Sequence, residues 1–196
     1  MTYEGIGTID KTMLEKCKKY FRREKPYIKG ILPFPFGIER RYRHFTNQTK
    51  DIDVACIFGQ EDFPKMRKEV RQMVEKSGLK VATKKTTGFN FDDNSKVAGR
   101  NEFYDLLARS KAGVSVGGGG YDTARFWEIL GNNCVLLTEK IDIEIPGNFN
   151  YKRVVEFKDV VEFKQKLSQP LPKLDIAEYN AIIEEHSTKA RVQYLH

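Results

Sequence analysis

The sequence is poor in the residues that staple or wire small proteins. Three cysteines, Cys17, Cys56 and Cys134, are spread over 196 residues. Their number is odd and no CxxC spacing occurs, which argues against both a disulfide framework and a thiolate zinc site. Cys56 and Cys134 lie in apolar runs and read as small buried hydrophobes. The three histidines, His44, His186 and His196, lack metal-ligand spacing. No run nears the ~18 apolar residues that suggest a membrane span. The opening Met1-Thr2-Tyr3-Glu4-Gly5 has neither the basic nor the apolar region of a secretory signal, so a cytoplasmic protein is expected. Ser115 stands in no Gly-x-Ser-x-Gly elbow, and no nucleophile triad is visible. No Asp-x-Asp-like pair ends a strand, so neither a metal nor another cofactor is expected.

Apolar residues make up 40% and charged residues 31% of the chain, a globular composition. The net charge is +7. That excess admits nucleic acid, an anionic surface or phosphorylated small molecules as partners, or nothing beyond solubility. Lys16, Lys18, Lys19, Arg22, Arg23 and Lys25 form one basic cluster, and Arg40, Arg41, Arg43 and His44 a second. Tyr20, Phe21, Tyr42 and Phe45 lie among them, where they could stack on bases. No nucleic-acid reader motif accompanies them.

Apolar residues at spacings of three and four predict a helix over 9–25, capped by Asp10 and stopped by Pro26. Residues 27–32 read as a short strand, and Pro33 to Gly37 as a turn or linker. From residue 51 the pattern changes. The continuous apolar run 53–59 has the character of a buried parallel strand. A helix over 64–77, a strand over 79–83, a loop over 86–98 and a helix over 100–110 follow. Strands are expected at 112–116, 134–138 and 154–157, and helices at 123–130, 159–167 and 175–193. His186 and the neighbouring Glu184-Glu185 read as surface residues of a polar helix, and Asp92-Asp93 as solvated or capping. Strands alternating with helices every ~30 residues indicate an α/β, Rossmann-like, doubly wound parallel sheet. Two regions are expected: an N-terminal helical and linker extension over 1–50, and the Rossmann-like domain over 51–196.

Gly117-Gly118-Gly119-Gly120 carries the most information. Glycines after a strand let a ligand approach the backbone closely. Asp122 or Thr123 can cap the next helix, whose N-terminus favours an anion. A strand-to-helix turn with no ligand is the plainer alternative. The loop is no P-loop, because no Gly-Lys-Ser/Thr follows. It is also an imperfect dinucleotide fingerprint, because Asp122 stands in the third glycine's place. Arg125 and Glu128, three apart, share a helix face. They are either a surface ion pair or a divided site, with Arg125 on phosphate and Glu128 on ribose hydroxyls.

Four segments together resemble a known family: Phe103 to Lys111, Gly117 to Gly120, Tyr121 to Gly131, and Leu136 to Glu139. They are similar to the C-terminal, donor-binding half of GT-B glycosyltransferases, of the CgeB-like, group 1 type. Leu32 to Glu39 resembles the linker between the two GT-B domains, and Tyr20 to Glu24 the last element of the N-terminal one. The resemblance covers about residues 20–190. It implies that Gly117 to Gly120, Thr123 and Arg125 bind the diphosphate of a nucleotide-sugar, and that Glu128 binds its ribose. It further suggests Gly59, Lys65 and Arg67 near the diphosphate, Tyr121 and Asp122 at the loop, and His44 at the interdomain cleft. Many relatives carry an acid where this chain has Gly120 or Tyr121. A complete GT-B enzyme also has a second Rossmann-like domain. This chain is therefore expected to be a separated half acting with a partner chain or a second copy, a shortened chain, or a remnant. Glycosyl transfer to an unknown acceptor is the function implied. A non-catalytic nucleotide-sugar-binding module and a basic nucleic-acid-associated protein are the alternatives.

Overall fold

The computed structural model describes residues 9–58, 64–83 and 95–193, without the side chains of 95–100. The N-terminal part holds helix α1 (Lys11–Lys16) and strands β1 (Tyr20–Arg22) and β2 (Ile31–Pro33), which pair in parallel as a two-stranded sheet. The helix expected over 9–25 is thus much shorter. Asp10 caps it as expected, by accepting from the Met13 N–H at 3.0 Å. No residue of α1 is buried, so nothing packs to extend it, whereas Tyr20 to Arg22 gain a ladder with Ile31 to Pro33. A single 3-10 turn covers Arg40–Tyr42.

The main sheet contains β3 (Ile52–Ala55), β4 (Val81–Ala82), β5 (Ser110–Ser115), β6 (Val135–Glu139) and β7 (Val154–Phe157). Its order is β4-β3-β5-β6-β7, with every pair parallel. The connecting helices are α2 (Lys65–Glu75), α3 (Ser95–Ala108) and α4 (Ala124–Leu130); α5 (Val160–Leu167), α6 (Ile176–His186) and α7 (Thr188–Gln193) complete the chain. Residues 95–98, expected in a loop, begin α3.

Two apolar clusters show that the sheet is doubly wound. Val70 and Val74 of α2 and Phe163 of α5 pack with Val54, Ala112, Val114, Val135 and Leu137. Phe103 and Leu107 of α3, Phe126, Trp127, Ile129 and Leu130 of α4, and Ile182 of α6 pack with Ile52 and Leu136. Both faces of a parallel sheet must be covered, which explains the neighbouring apolar residues Val54-Ala55, Val135-Leu136-Leu137 and Val154-Val155 within the strands. The order is that of a flavodoxin-like sheet, 2-1-3-4-5. Its strand order reverses between β3 and β5, and in such sheets ligands enter at the carboxyl ends beside that reversal.

The helix expected over 175–193 is broken at Ser187, whose backbone is extended. The break receives the chain from the Pro33–Gly37 segment. The Ile38 N–H donates to the His186 carbonyl at 2.7 Å, and the Thr188 N–H to the Ile38 carbonyl at 3.0 Å. Gly37 is required there. Its φ is +82°, and a Cβ would stand 2.8 Å from the His186 carbonyl oxygen. Ile38 and Tyr42 complete the same core as Trp127.

His186 is fully buried, not a surface residue. Its Nδ1 lies 3.2 Å from Arg191 Nη2, which can only donate, so Nδ1 accepts. Its Nε2 lies 3.0 Å from the Tyr151 hydroxyl, which in turn donates to Glu185 at 2.7 Å. Burial, reinforced by the Arg191 charge, lowers the imidazole pKa from 6.5 to about 4. A neutral histidine therefore stabilises the fold fully above pH 6.5, and that contribution drains away as the pH falls through 4. Equilibrium denaturation of the wild type and His186→Gln should show their stability difference shrinking by about 3 kcal/mol between pH 6.5 and pH 4. A difference independent of pH would show that the ring titrates in the fold as it does in the unfolded chain.

Candidate functional site

The loop Gly117–Gly120 leaves β5 at its carboxyl end, next to β3, and so stands at the strand-order reversal. Its neck is closed by Ser115 Oγ and Thr123 Oγ1, 3.2 Å apart. Inside the loop the Gly118 N–H donates to the Gly120 carbonyl at 3.0 Å. Two carboxylates hold its ends. Glu139 accepts from the Gly117 N–H at 2.9 Å, and Glu24 accepts from the Asp122 N–H at 2.7 Å. Arg67, from α2, lies against the middle. Its Nη2 donates to the Val116 carbonyl at 3.1 Å and would stand 2.5 Å from a Cβ at residue 118. Gly119 is exposed, and a Cβ there would meet no atom of the described residues within 4 Å. The loop therefore offers an open centre, a guanidinium beneath it and a carboxylate at each end.

Thr123 is the N-cap of α4, its hydroxyl accepting from the Phe126 N–H at 3.4 Å. Asp122 does something else. Its Oδ2 accepts from the Phe36 N–H at 2.9 Å, and its Oδ1 from Trp127 Nε1 at 2.8 Å. This carboxylate ties the Pro33–Gly37 segment to α4 and fixes where the loop ends. Burial raises its pKa from 3.8 to about 6, although the Trp127 and Phe36 donors and the Arg23 charge pull the other way. Burial also pushes the half-buried Tyr121 phenol up. Because α4 has only seven residues, its dipole adds little to the loop's own amides.

Arg125 and Glu128 form a buried pair, not a surface one. Arg125 Nη1 lies 2.9 Å from Glu128 Oε2, and the two side chains are 12% and 4% exposed. The guanidinium stacks on Phe103, 3.8 Å from the ring centre. Tyr104 donates to Glu128 at 3.2 Å. Burial, then the Glu128 charge, pushes the Tyr104 phenol up. Lys65 points to solvent, 82% exposed and paired with Glu69 at 3.1 Å. His44 is remote from the loop but not from Glu128, because its ring lies 5.1 Å from that of Tyr104, the Glu128 donor. It pairs with Asp105 at 2.9 Å, and its N–H donates to Asn132 at 3.0 Å. Those partners lie near the C-terminal ends of α3 and α4, at the amino ends of the strands and so opposite the loop. Gly59 lies outside the described residues. Among the described residues, no group of three His, Cys, Asp or Glu side chains is arranged for a metal. No described helix is long and apolar enough to cross a membrane.

No protein-family model and no curated protein matches the chain. Its likeness is to solved structures. A mutant of S. aureus TarM, in complex with Fondaparinux, alpha-GlcNAc-glycerol and UDP, aligns over 100% of this chain with a TM-score of 0.57 and 13% identity. The chain carries a Rossmann-like GT-B half-domain. It spans 48% of the TarM chain. A GtfA/B complex aligns at 13% identity and a TM-score of 0.46, over 94% of this chain and 43% of that chain. At such identity the TarM likeness concerns fold, and it does not single out the CgeB-like type.

The contacts of Glu24 and Asp122 with the loop have no local signal: Glu24 sits in a basic stretch far from the loop in sequence, and Asp122 reads locally as a helix cap. Two measurements check the electrostatics. A carboxyl whose folded pKa is raised stabilises the fold below pH 3.8, and that contribution is lost as the pH rises through 6. Asp122→Asn should therefore gain about 3 kcal/mol relative to the wild type between pH 4 and pH 7 in chemical denaturation. Constant relative stability would show an ordinary carboxyl. For the buried pair, Arg125→Ala and Glu128→Ala should each cost about 3 kcal/mol, and the double variant much less than their sum. Strict additivity in that cycle would mean that the two charges do not interact.

Proposed function

We propose that the Gly117–Gly120 loop binds the diphosphate of a nucleotide-sugar, and that the chain is a glycosyltransferase or the donor-binding half of one. The observation that carries this reading is the open centre of the loop at the strand-order reversal, backed by the Arg67 guanidinium. Amide donors and a fixed cation suit a diphosphate. Glu128, on the helix that follows, is the ribose candidate. Ribose hydroxyls would replace the Tyr104 hydroxyl as donors, so the carboxylate would lose no hydrogen bond on binding. Arg125 would stay with Glu128 and position it, with phosphate contact falling mainly to Arg67. The TarM structure in complex with UDP supports the choice of ligand class, and the segment Tyr121 to Gly131 supports a CgeB-like affinity. Catalysis would come from stabilising the departing diphosphate, without a metal. The acceptor side would come from a partner chain or a second copy.

Gly119 gives a clean test. A methyl there meets no neighbour among the described residues and should leave thermal stability within ~0.5 kcal/mol of the wild type, yet it intrudes where a phosphate would lie. Titration with UDP, GDP and their sugars should give binding that Gly119→Ala weakens at least ~10-fold, equivalent to about 1.4 kcal/mol. Arg67→Met should weaken it similarly. If no nucleotide binds at millimolar concentration while single-stranded DNA does, the basic nucleic-acid-associated reading replaces this one.

A further inference from the structure

β7 ends the sheet, and no strand among the described residues pairs with its outer side. Its register sets Leu136 beside Val154 and Glu139 beside Phe157, with the Leu136 N–H on the Arg153 carbonyl and the Lys140 N–H on the Phe157 carbonyl. In a parallel ladder alternate residues supply the bonds to one neighbour. Arg153, Val155 and Phe157 therefore serve β6, and the backbone of Val154 and Glu156 turns outward. The Val154 N–H folds back onto the Tyr151 carbonyl at 3.0 Å, and the Lys158 N–H donates to Glu162 at 3.0 Å. The Val154 carbonyl and the Glu156 N–H and carbonyl are left over, without a hydrogen-bond partner among the described residues.

This edge lines a groove of about 690 Å³. Phe149 and Tyr151 stand on the sheet face of α4, and Glu162 and Lys166 belong to α5 on the opposite face. Lys140 and Lys158 follow the carboxyl ends of β6 and β7. Among the described residues none of the three lysines pairs with a carboxylate. They face only Glu156 and Glu162, and Glu162 already accepts from the Lys158 N–H. A free edge is a template for another strand, and lysines beside it select what can pair. Here they repel the same edge of a second copy, which brings the same lysines and is recessed between the same walls. A single extended segment carrying acids is attracted and fits the groove.

We propose that β7 is the docking edge for an acidic, extended segment of a partner protein, which adds to the sheet as a further strand. Main-chain bonds to Val154 and Glu156 hold it, alternate apolar side chains lie against Phe149 and Tyr151, and acids meet Lys158 and Lys166. The inference is independent of the donor-site reading, because β6 separates this edge from β5 and its glycine loop.

The experiment is fluorescence anisotropy on the full chain with short labelled peptides that alternate glutamate and valine. They should bind at millimolar concentration or below, and the counterpart with lysine for glutamate at least ~10-fold more weakly. Two N-methylated versions, modified at the glutamates or at the valines, decide the mode. In an added strand one alternate set of N–H groups faces β7, so one version should lose ~10-fold or more in affinity and the other little. Glu156→Pro removes an outward N–H without touching a bond to β6, and it should weaken binding similarly. Lys158→Glu combined with Lys166→Glu alters no main-chain group, and it should reverse the preference between acidic and basic peptides. Equal effects of the two methylation patterns would overturn strand addition and make the groove a general polyanion site. Self-association of the chain in sedimentation, abolished by Glu156→Pro, would give the edge to a second copy and overturn the proposal. No binding of the acidic peptide at millimolar concentration would overturn it outright.

Discussion

The buried Asp122 carboxylate is the contact on which the arrangement of the site depends. It joins three pieces that the sequence keeps apart: the Pro33–Gly37 segment through the Phe36 amide, α4 through the Trp127 indole, and the end of the glycine loop through its own backbone. A carboxylate so deeply buried is expensive unless its lone pairs are filled. Here two N–H donors fill them, and Trp127 is placed by the exchange. Trp127 is itself fully buried and anchors the core face formed by α3, α4 and α6. The shape of the loop is thus set from the core outward.

His186 plays a matching part on the far side of Trp127, their rings 6.0 Å apart. Its carbonyl takes the Ile38 amide and its ring is held by Arg191 and Tyr151. The Pro33–Ile38 strap is therefore gripped twice, at Phe36 by an acid and at Ile38 by a broken helix. The acid favours its proton and the imidazole resists one. Their contributions to stability consequently run in opposite directions with pH and partly cancel across the mildly acidic range.

Much of the fold was legible because strand runs such as Val54 to Phe58 and Val135 to Thr138 are apolar throughout, as strands buried on both faces must be. The helices between them show one apolar face each. The glycine loop was legible for the same local reason. Tyr20 to Arg22 was not. Its aromatic residues continue a helical spacing, and only pairing with Ile31 to Pro33 makes it a strand. Ser187 gave no sign of breaking a helix, because the cause is the strap that pairs with it. Arg125 and Glu128 were recognisable as a pair, but the covering Phe103 and Tyr104 come from another element. His44 looked close to the loop in sequence, and topology carried it to the far end of α4, against Tyr104.

The bond between the Asp122 amide and Glu24 closes a span of 98 residues. Contacts of such separation form late, because the chain must first lose the entropy of bringing distant segments together. The parallel sheet can assemble before then and leave the glycine loop unclamped at one end. The loop is finished only once the N-terminal strap has docked. During synthesis the order is reversed: Glu24 emerges first and must wait for its partner. Because Ile38 and Tyr42 belong to the core around Trp127, docking of the strap completes that core and clamps the loop in the same event.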